Sequence, residues 1–177
     1  MCIRDSRNGV DWKTVGDWAR LRTDHGHAAP GGVQYWEIGN EVYGAKGSSA
    51  PGCASFGWED VWTCDGNEYV NGDPDHDGYL AFRSAMKAVD PDIQVGAVGL
   101  GGYQSQWGGF GQKVIEGAAS NLDFYIVHDY AFDSPPTMKA ILRRPTTAWA
   151  DTMRSVRTAL DDENPTRTVP VLSLIHI

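Results

Sequence analysis

Helix-like and strand-like segments alternate along most of this chain, and the alternation constrains its fold more than any other feature. Short, nearly continuous apolar runs occur at 33–38, 93–98 and 122–127, and a fourth begins at 169. Apolar residues at helical spacing precede or separate these runs, at 12–22, 79–89, 110–119 and 149–160. Apolar strands joined through helices form parallel sheets covered by helices. The sequence therefore predicts an α/β fold, with a long loop rich in Gly, Pro and Asp from about 39 to 78.

Two architectures share this pattern, the doubly wound sheet and the (β/α)₈ barrel, and periodicity alone does not choose between them. A barrel of this kind typically has about 250 residues. With 177 residues, a barrel interpretation requires the chain to be part of a longer protein.

Charge and hydropathy exclude several classes of function. The chain has 15 Lys+Arg against 23 Asp+Glu, a formal net charge of −8, which disfavours binding to nucleic acid. No stretch approaches the roughly 20 apolar residues of a membrane-spanning helix. We therefore expect no nucleic-acid partner and no membrane partner.

The two ends of the chain are expected to be foreign to the natural protein. Residues 172–177 can be encoded by CTG TCT CTT ATA CAC ATC, and the reverse complement of that DNA, read one base later, encodes residues 1–6. One inverted repeat thus explains both ends, and it resembles the transposon end used to prepare sequencing libraries. We expect 1–6 and 172–177 to be adapter artefacts, and 7–171 to be the natural segment, cut from a longer protein.

Apart from Cys2, which belongs to the expected artefact at 1–6, the cysteines lie in one loop. Cys53 and Cys64 are eleven residues apart in a segment rich in Gly, Ser and Trp. The favoured interpretation is a disulfide in a secreted protein, and two free thiols are the alternative. No metal site is expected, because the further ligands are missing.

Two acids compete for a catalytic role in the run Tyr35-Trp36-Glu37-Ile38-Gly39-Asn40-Glu41-Val42-Tyr43-Gly44. Four extended residues would separate Glu37 from Glu41 by about 13 Å along the strand. Chemistry in a parallel barrel occurs at the carboxyl ends of the strands, which favours Glu41. Glu37 is expected to be a structural acid that pairs with a base from a strand missing from this chain.

This run resembles the fourth-strand signature of the retaining glycoside hydrolases of clan A, and it is most similar to that of their α-L-arabinofuranosidase-type members. The resemblance extends over most of 7–171, including 18–22, 85–91 and 123–130. It implies a (β/α)₈ TIM barrel, of which the chain would hold the third helix to the start of the seventh strand.

The resemblance also implies roles for individual residues. Glu41 would be the general acid/base, and Asn40 would bind the hydroxyl next to the anomeric carbon. His128 and Tyr130 would end the sixth strand and line the sugar pocket. Tyr43 follows the same strand as Glu41, and both stacking on a sugar ring and ordinary loop packing are open to it.

The activity implied by the resemblance is that of a secreted retaining glycosidase releasing α-L-arabinofuranosyl groups from plant-type polysaccharide or oligosaccharide. Retaining hydrolysis uses two carboxyl groups about 5–5.5 Å apart and no cofactor. The family's nucleophilic Glu ends the seventh strand, so truncation would remove it here, and this chain is expected to be inactive. The alternatives are another clan A activity (xylosidase, glucanase or glucuronidase) and a carbohydrate-binding barrel without catalysis.

Overall fold

The computed structural model describes residues 18–27, 31–43, 65–101, 106–130 and 136–176. The chain divides into two units, Met1–Gln34 and Tyr35–Ile177. In the first unit, helix α1 (Trp18–Asp24) carries an ion pair between Arg20 and Asp24, one turn apart. The helix predicted at 12–22 is therefore present at 18–22, and its earlier residues lie outside the described part of the chain.

A four-stranded parallel sheet forms the centre of the second unit. Its strands lie side by side in chain order: β1 (Tyr35–Ile38), β2 (Gln94–Leu100), β3 (Phe124–Tyr130) and β4 (Val171–His176). Strands that are neighbours both in sequence and in the sheet, all parallel, are the arrangement of a barrel wall. The predicted α/β class with a parallel sheet is confirmed.

The helices that connect the strands lie close to the predicted positions. They are α3 (Tyr79–Val89), α4 (Phe110–Ala118) and α6 (Ala148–Glu163), with short 3₁₀ turns at Gln106–Gly109, Ala119–Asn121 and Arg144–Thr146. Among the described helices, none combines the length and the apolar character needed to cross a bilayer.

Two short helices were not expected from the sequence. The predicted loop from 39 to 78 contains α2 (Gly66–Asn71), and α5 (Met138–Arg143) precedes α6. Each begins at a capping side chain: Asp65 accepts a hydrogen bond from the backbone N–H of Asn67, and Thr137 accepts one from that of Ala140. Six residues are too few for the apolar periodicity that reveals longer helices.

Strand β4 begins at Val171, two residues later than predicted, and continues through residue 176 in register with Tyr125–Tyr130 of β3. The segment 172–176 thus has a strand backbone. That observation leaves the origin of the terminal residues untested, so the adapter interpretation stays a prediction.

Buried tyrosine hydroxyl groups supply hydrogen bonds to the strands from within the core. Tyr79 of α3 donates to the carbonyl of Val95 at 2.9 Å, and Tyr125 accepts from the N–H of Leu100 at 3.0 Å. The ring of Tyr125 crosses Gly99, where a Cβ atom would overlap it. Burial raises the pKa of both phenols, so they remain neutral donors and acceptors.

A charged cluster fastens α3 to the sheet at the end opposite the predicted site. The carboxylate of Asp123 accepts from Arg83 at 2.7 Å, from Lys87 at 2.9 Å and from the backbone N–H of Val95 at 2.9 Å. Partial burial acts to raise the pKa of Asp123, but the bonds from Arg83, Val95 and Lys87 outweigh it and hold the pKa below its usual range.

We expect Asp123→Ala to lower the free energy of unfolding by about 2 kcal/mol, because the N–H of Val95 and the guanidinium of Arg83 lose this acceptor. Chemical denaturation measures the change. Asp162→Ala, at an exposed position on α6, is the matched control and should change stability little. Equal effects of the two substitutions would contradict a special role for Asp123.

Candidate functional site

A sharp turn at the carboxyl end of β1 carries the predicted catalytic residue. Gly39 has φ 88° and Glu41 has φ 52°, so both adopt left-handed backbone conformations. A Cβ at Gly39 would approach Val42 to 2.8 Å, which makes glycine the residue suited to this position. Glu41 has a Cβ and is a rare occupant of that region, and such strain is concentrated at functional sites.

The turn places the carboxyl group of Glu41 inside the protein. Only 6% of the residue is exposed, and its Oε1 atom lies 3.3 Å from Nδ1 of His128, which comes from β3. Glu41, the predicted general acid/base, thus contacts His128, another predicted site residue, at the carboxyl edge of the sheet.

The other acid of the motif reaches the same ring. Oε1 of Glu37 lies 2.9 Å from Nε2 of His128. Two expectations about Glu37 were therefore wrong: its base comes from β3 of this chain, and its carboxylate converges with that of Glu41. The backbone leaves the extended conformation after Ile38, with positive φ at Gly39 and Glu41, so the distance expected for an extended strand does not apply.

The environment of His128 favours its charged form. Its side chain is 1% exposed, against 20% for Glu37 and 8% for Glu41. Burial acts to lower the pKa of His128, but the hydrogen bond and charge of Glu37, followed by those of Glu41, outweigh it and raise the pKa above its ordinary value. The site is a buried imidazole between two carboxylates.

Tyr69 of α2 positions the end of β1, and sequence reasoning missed it because it lies in the predicted loop. Its hydroxyl group donates to the carbonyl of Ile38 at 2.7 Å and accepts from the N–H of Val98 at 3.1 Å. The regular pairing of β1 with β2 ends at Ile38 and Ala97. The phenol thus replaces the next backbone hydrogen bond and separates the strands where the turn begins.

The other predicted site residues are placed as follows. Asn40 is exposed in the turn. Tyr43 is buried, and its ring packs edge-on against Phe110, with 5.6 Å between ring centroids. Tyr130 is the last residue of β3, and its side chain is outside the described part of the structure, as are Cys53 and Cys64.

Within the described ranges, no three His, Cys, Asp or Glu side chains form a group that could hold a metal ion.

The fold corresponds to part of a (β/α)₈ barrel, and solved structures of one class of enzyme share it. An α-L-arabinofuranosidase from Thermotoga maritima, solved as an arabinose complex, superposes with a TM-score of 0.62 at 23% identity, over 92% of this chain and 29% of its own. A family 51 α-L-arabinofuranosidase from Thermotoga petrophila gives a TM-score of 0.58 at 24% identity, over 89% and 28% of the two chains.

A third solved structure, a family 51 α-L-arabinofuranosidase from Bifidobacterium longum, gives a TM-score of 0.58 at 21% identity, over 89% of this chain and 30% of its own. No family model and no curated protein matches the sequence. The chain spans less than a third of the length of the three solved structures. At 21–24% sequence identity, the likeness establishes the fold.

We expect Tyr69→Phe to lower the free energy of unfolding by about 1–3 kcal/mol, because the buried N–H of Val98 loses its acceptor. Denaturant titration of the two proteins measures the loss. Tyr35→Phe removes the hydroxyl group of an exposed tyrosine and is the matched control. A loss no larger than that of the control would show that the phenol does not support the turn.

His128 should also make stability depend on pH. A histidine whose pKa is raised on folding stabilises fully below its unfolded pKa of about 6.5, and the effect is lost as pH rises through the folded pKa. Unfolding free energies measured from pH 6 upward should therefore fall, and less so in His128→Gln. The comparison is made in a His76→Gln background, because the pKa of His76, hydrogen-bonded to Asp73, is raised as well. An identical pH dependence in the presence and absence of His128 would refute the effect.

Proposed function

We propose that this chain is part of a secreted retaining glycosidase that releases α-L-arabinofuranosyl groups from plant-type polysaccharide or oligosaccharide. The observation that carries the proposal is the position of Glu41: a buried carboxyl group, on a strained turn, at the carboxyl end of a barrel strand. The likeness of the fold to α-L-arabinofuranosidases supports the choice of substrate class.

In the proposed mechanism, Glu41 protonates the leaving oxygen and later removes a proton from the attacking water. Asn40 lies exposed beside it and binds the sugar hydroxyl next to the anomeric carbon, and Tyr130 lines the same pocket. His128 contributes through its contact with Glu41, since its ring is almost fully buried.

The nucleophile is proposed to be a glutamate outside this chain, at the end of the seventh strand. Glu37 is a poor candidate for that role. Retaining hydrolysis needs the anomeric carbon between two carboxyl groups, whereas the imidazole of His128 lies between Glu37 and Glu41. The 177-residue chain is accordingly proposed to be inactive.

The test uses the complete protein, obtained by following the reading frame in the source DNA beyond Val171. We expect a Glu within a few residues of that point, and hydrolysis of aryl α-L-arabinofuranosides. Glu41→Ala should lower kcat by about 10²–10⁴-fold, because general acid catalysis is lost. The loss should be smallest for activated leaving groups, and added azide should restore turnover.

Glu163→Ala, an exposed glutamate at the end of α6, is the control and should leave kcat unchanged. Full activity of Glu41→Ala would overturn the assignment of the acid/base. Turnover of xylosides, glucans or glucuronides in place of arabinosides would overturn the substrate class, and sugar binding without any turnover would identify a carbohydrate-binding barrel.

A further inference from the structure

His128 contacts one carboxylate through each of its ring nitrogens. Glu37 holds Nε2 at 2.9 Å and Glu41 faces Nδ1 at 3.3 Å. A neutral imidazole carries a proton on only one of these atoms, and the partner of the other nitrogen decides which. The shorter contact is on Nε2, and Glu37 is also the more exposed of the two acids. By distance, Glu37 is therefore the better placed of the two acids to accept the Nε2–H bond.

We propose that Glu37 is a positioning residue that fixes the Nε2–H form of His128, so that Nδ1 exchanges one proton with the carboxyl group of Glu41. This inference rests on the proposed function, because it assigns the reacting carboxyl group to Glu41. It adds a role for an acid that touches neither the sugar nor the leaving group.

The exchange conserves protons and charge. In one arrangement, His128 is an imidazolium between two carboxylates. In the other, the Nδ1–H bond has broken, its electron pair stays on nitrogen, and an O–H bond has formed at Oε1 of Glu41. The three groups carry a net charge of −1 in both arrangements, and the Nε2–H bond to Glu37 is kept throughout.

This arrangement suits a group that acts first as an acid and then as a base. Once Glu41 has given its proton to the leaving oxygen, the cluster carries a charge of −2, and the lone pair of Nδ1 faces an ionised carboxylate. That repulsion favours the transfer of a proton from the attacking water to Glu41. The net charge of the cluster then returns to −1. Glu37 acts by keeping the single N–H of the neutral ring on Nε2, so that Nδ1 faces Glu41 without a proton.

Few other titratable groups face the cluster from the described elements. Strand β2, which lies between β1 and β3, carries none from Gln94 to Leu100. On the side of helix α2, burial is the largest cause of the raised pKa of the Tyr69 phenol, and the charge of Glu37 raises it further. Tyr69 is neutral and already bonded to Ile38 and Val98. Along β4, residue Leu174 pairs with His128.

The test reads the histidine directly. The 177-residue chain, fused to a soluble carrier protein and labelled with ¹⁵N at its five histidines, is titrated by NMR, which reports the charge and tautomer of each ring. We expect His128 to titrate above the ordinary range and to become Nε2–H when neutral. Glu37→Gln should lower its midpoint by about one pH unit or more and produce a mixture of tautomers, and Glu37→Asp should restore much of the shift.

His76 serves as the internal control, because its partner is Asp73 and its titration should be unchanged in the Glu37 variants. Glu116→Gln, at an exposed position on α4, is the control variant. The tautomer of the unmodified chain needs no variant, so poor folding of Glu37→Gln would not remove the test. A neutral Nδ1–H form, or a His128 titration unaffected by Glu37→Gln, would overturn the proposal.

These measurements involve no substrate, so their outcome is separate from that of the proposed function. An Nδ1–H tautomer would refute the role of Glu37 and leave the assignment of Glu41 intact. Full activity of Glu41→Ala in the complete protein would refute the assignment of Glu41, and with it the catalytic part of this inference, whatever the tautomer.

Discussion

The buried imidazole of His128 connects the two acids of the site, Glu37 and Glu41, and the local structure is organised around it. It comes from β3, passes the intervening strand β2, and contacts both acids of the β1 motif. A buried charge is tolerated when it is paired and hydrogen-bonded on all sides. Glu37 and Glu41 meet this condition for the ring of His128, because one carboxylate faces each of its two nitrogen atoms. Loss of either would leave a polar group buried without its partner, so the positions of the three residues depend on one another.

The backbone around this cluster is held by side chains that replace regular strand hydrogen bonds. The phenol of Tyr69 lies between β1 and β2 at the point where the two strands separate, and it bonds to both. The phenol of Tyr125, from β3, accepts a hydrogen bond from the N–H of Leu100 in β2. Both hydroxyl groups are neutral and are fixed by rings buried in the core. Strand β1 can therefore leave β2 at the carboxyl edge of the sheet while the carbonyl of Ile38 and the N–H of Val98 stay hydrogen-bonded.

The fold class followed from the sequence, whereas the contacts around Glu41 did not. Buried strands and regular helices have periodic patterns, and the motif around Glu41 is long enough to be specific. The convergence of Glu41 with Glu37 on His128 follows from the positive φ values of Gly39 and Glu41, which a count of residues along an extended strand cannot predict. The role of Tyr69 was hidden because α2 is only six residues long and begins within a segment typical of loops.

The left-handed conformation of Glu41 sets backbone strain against a buried side-chain contact at a single position. A residue with a Cβ in that region costs on the order of 1–3 kcal/mol, which glycine avoids entirely and asparagine avoids in part. Replacement of Glu41 by glycine or asparagine would relieve this strain, but it would also remove the acid that faces Nδ1 of the buried ring of His128. The two effects on thermal stability oppose each other, so the net change at this position depends on whether His128 is kept beside it.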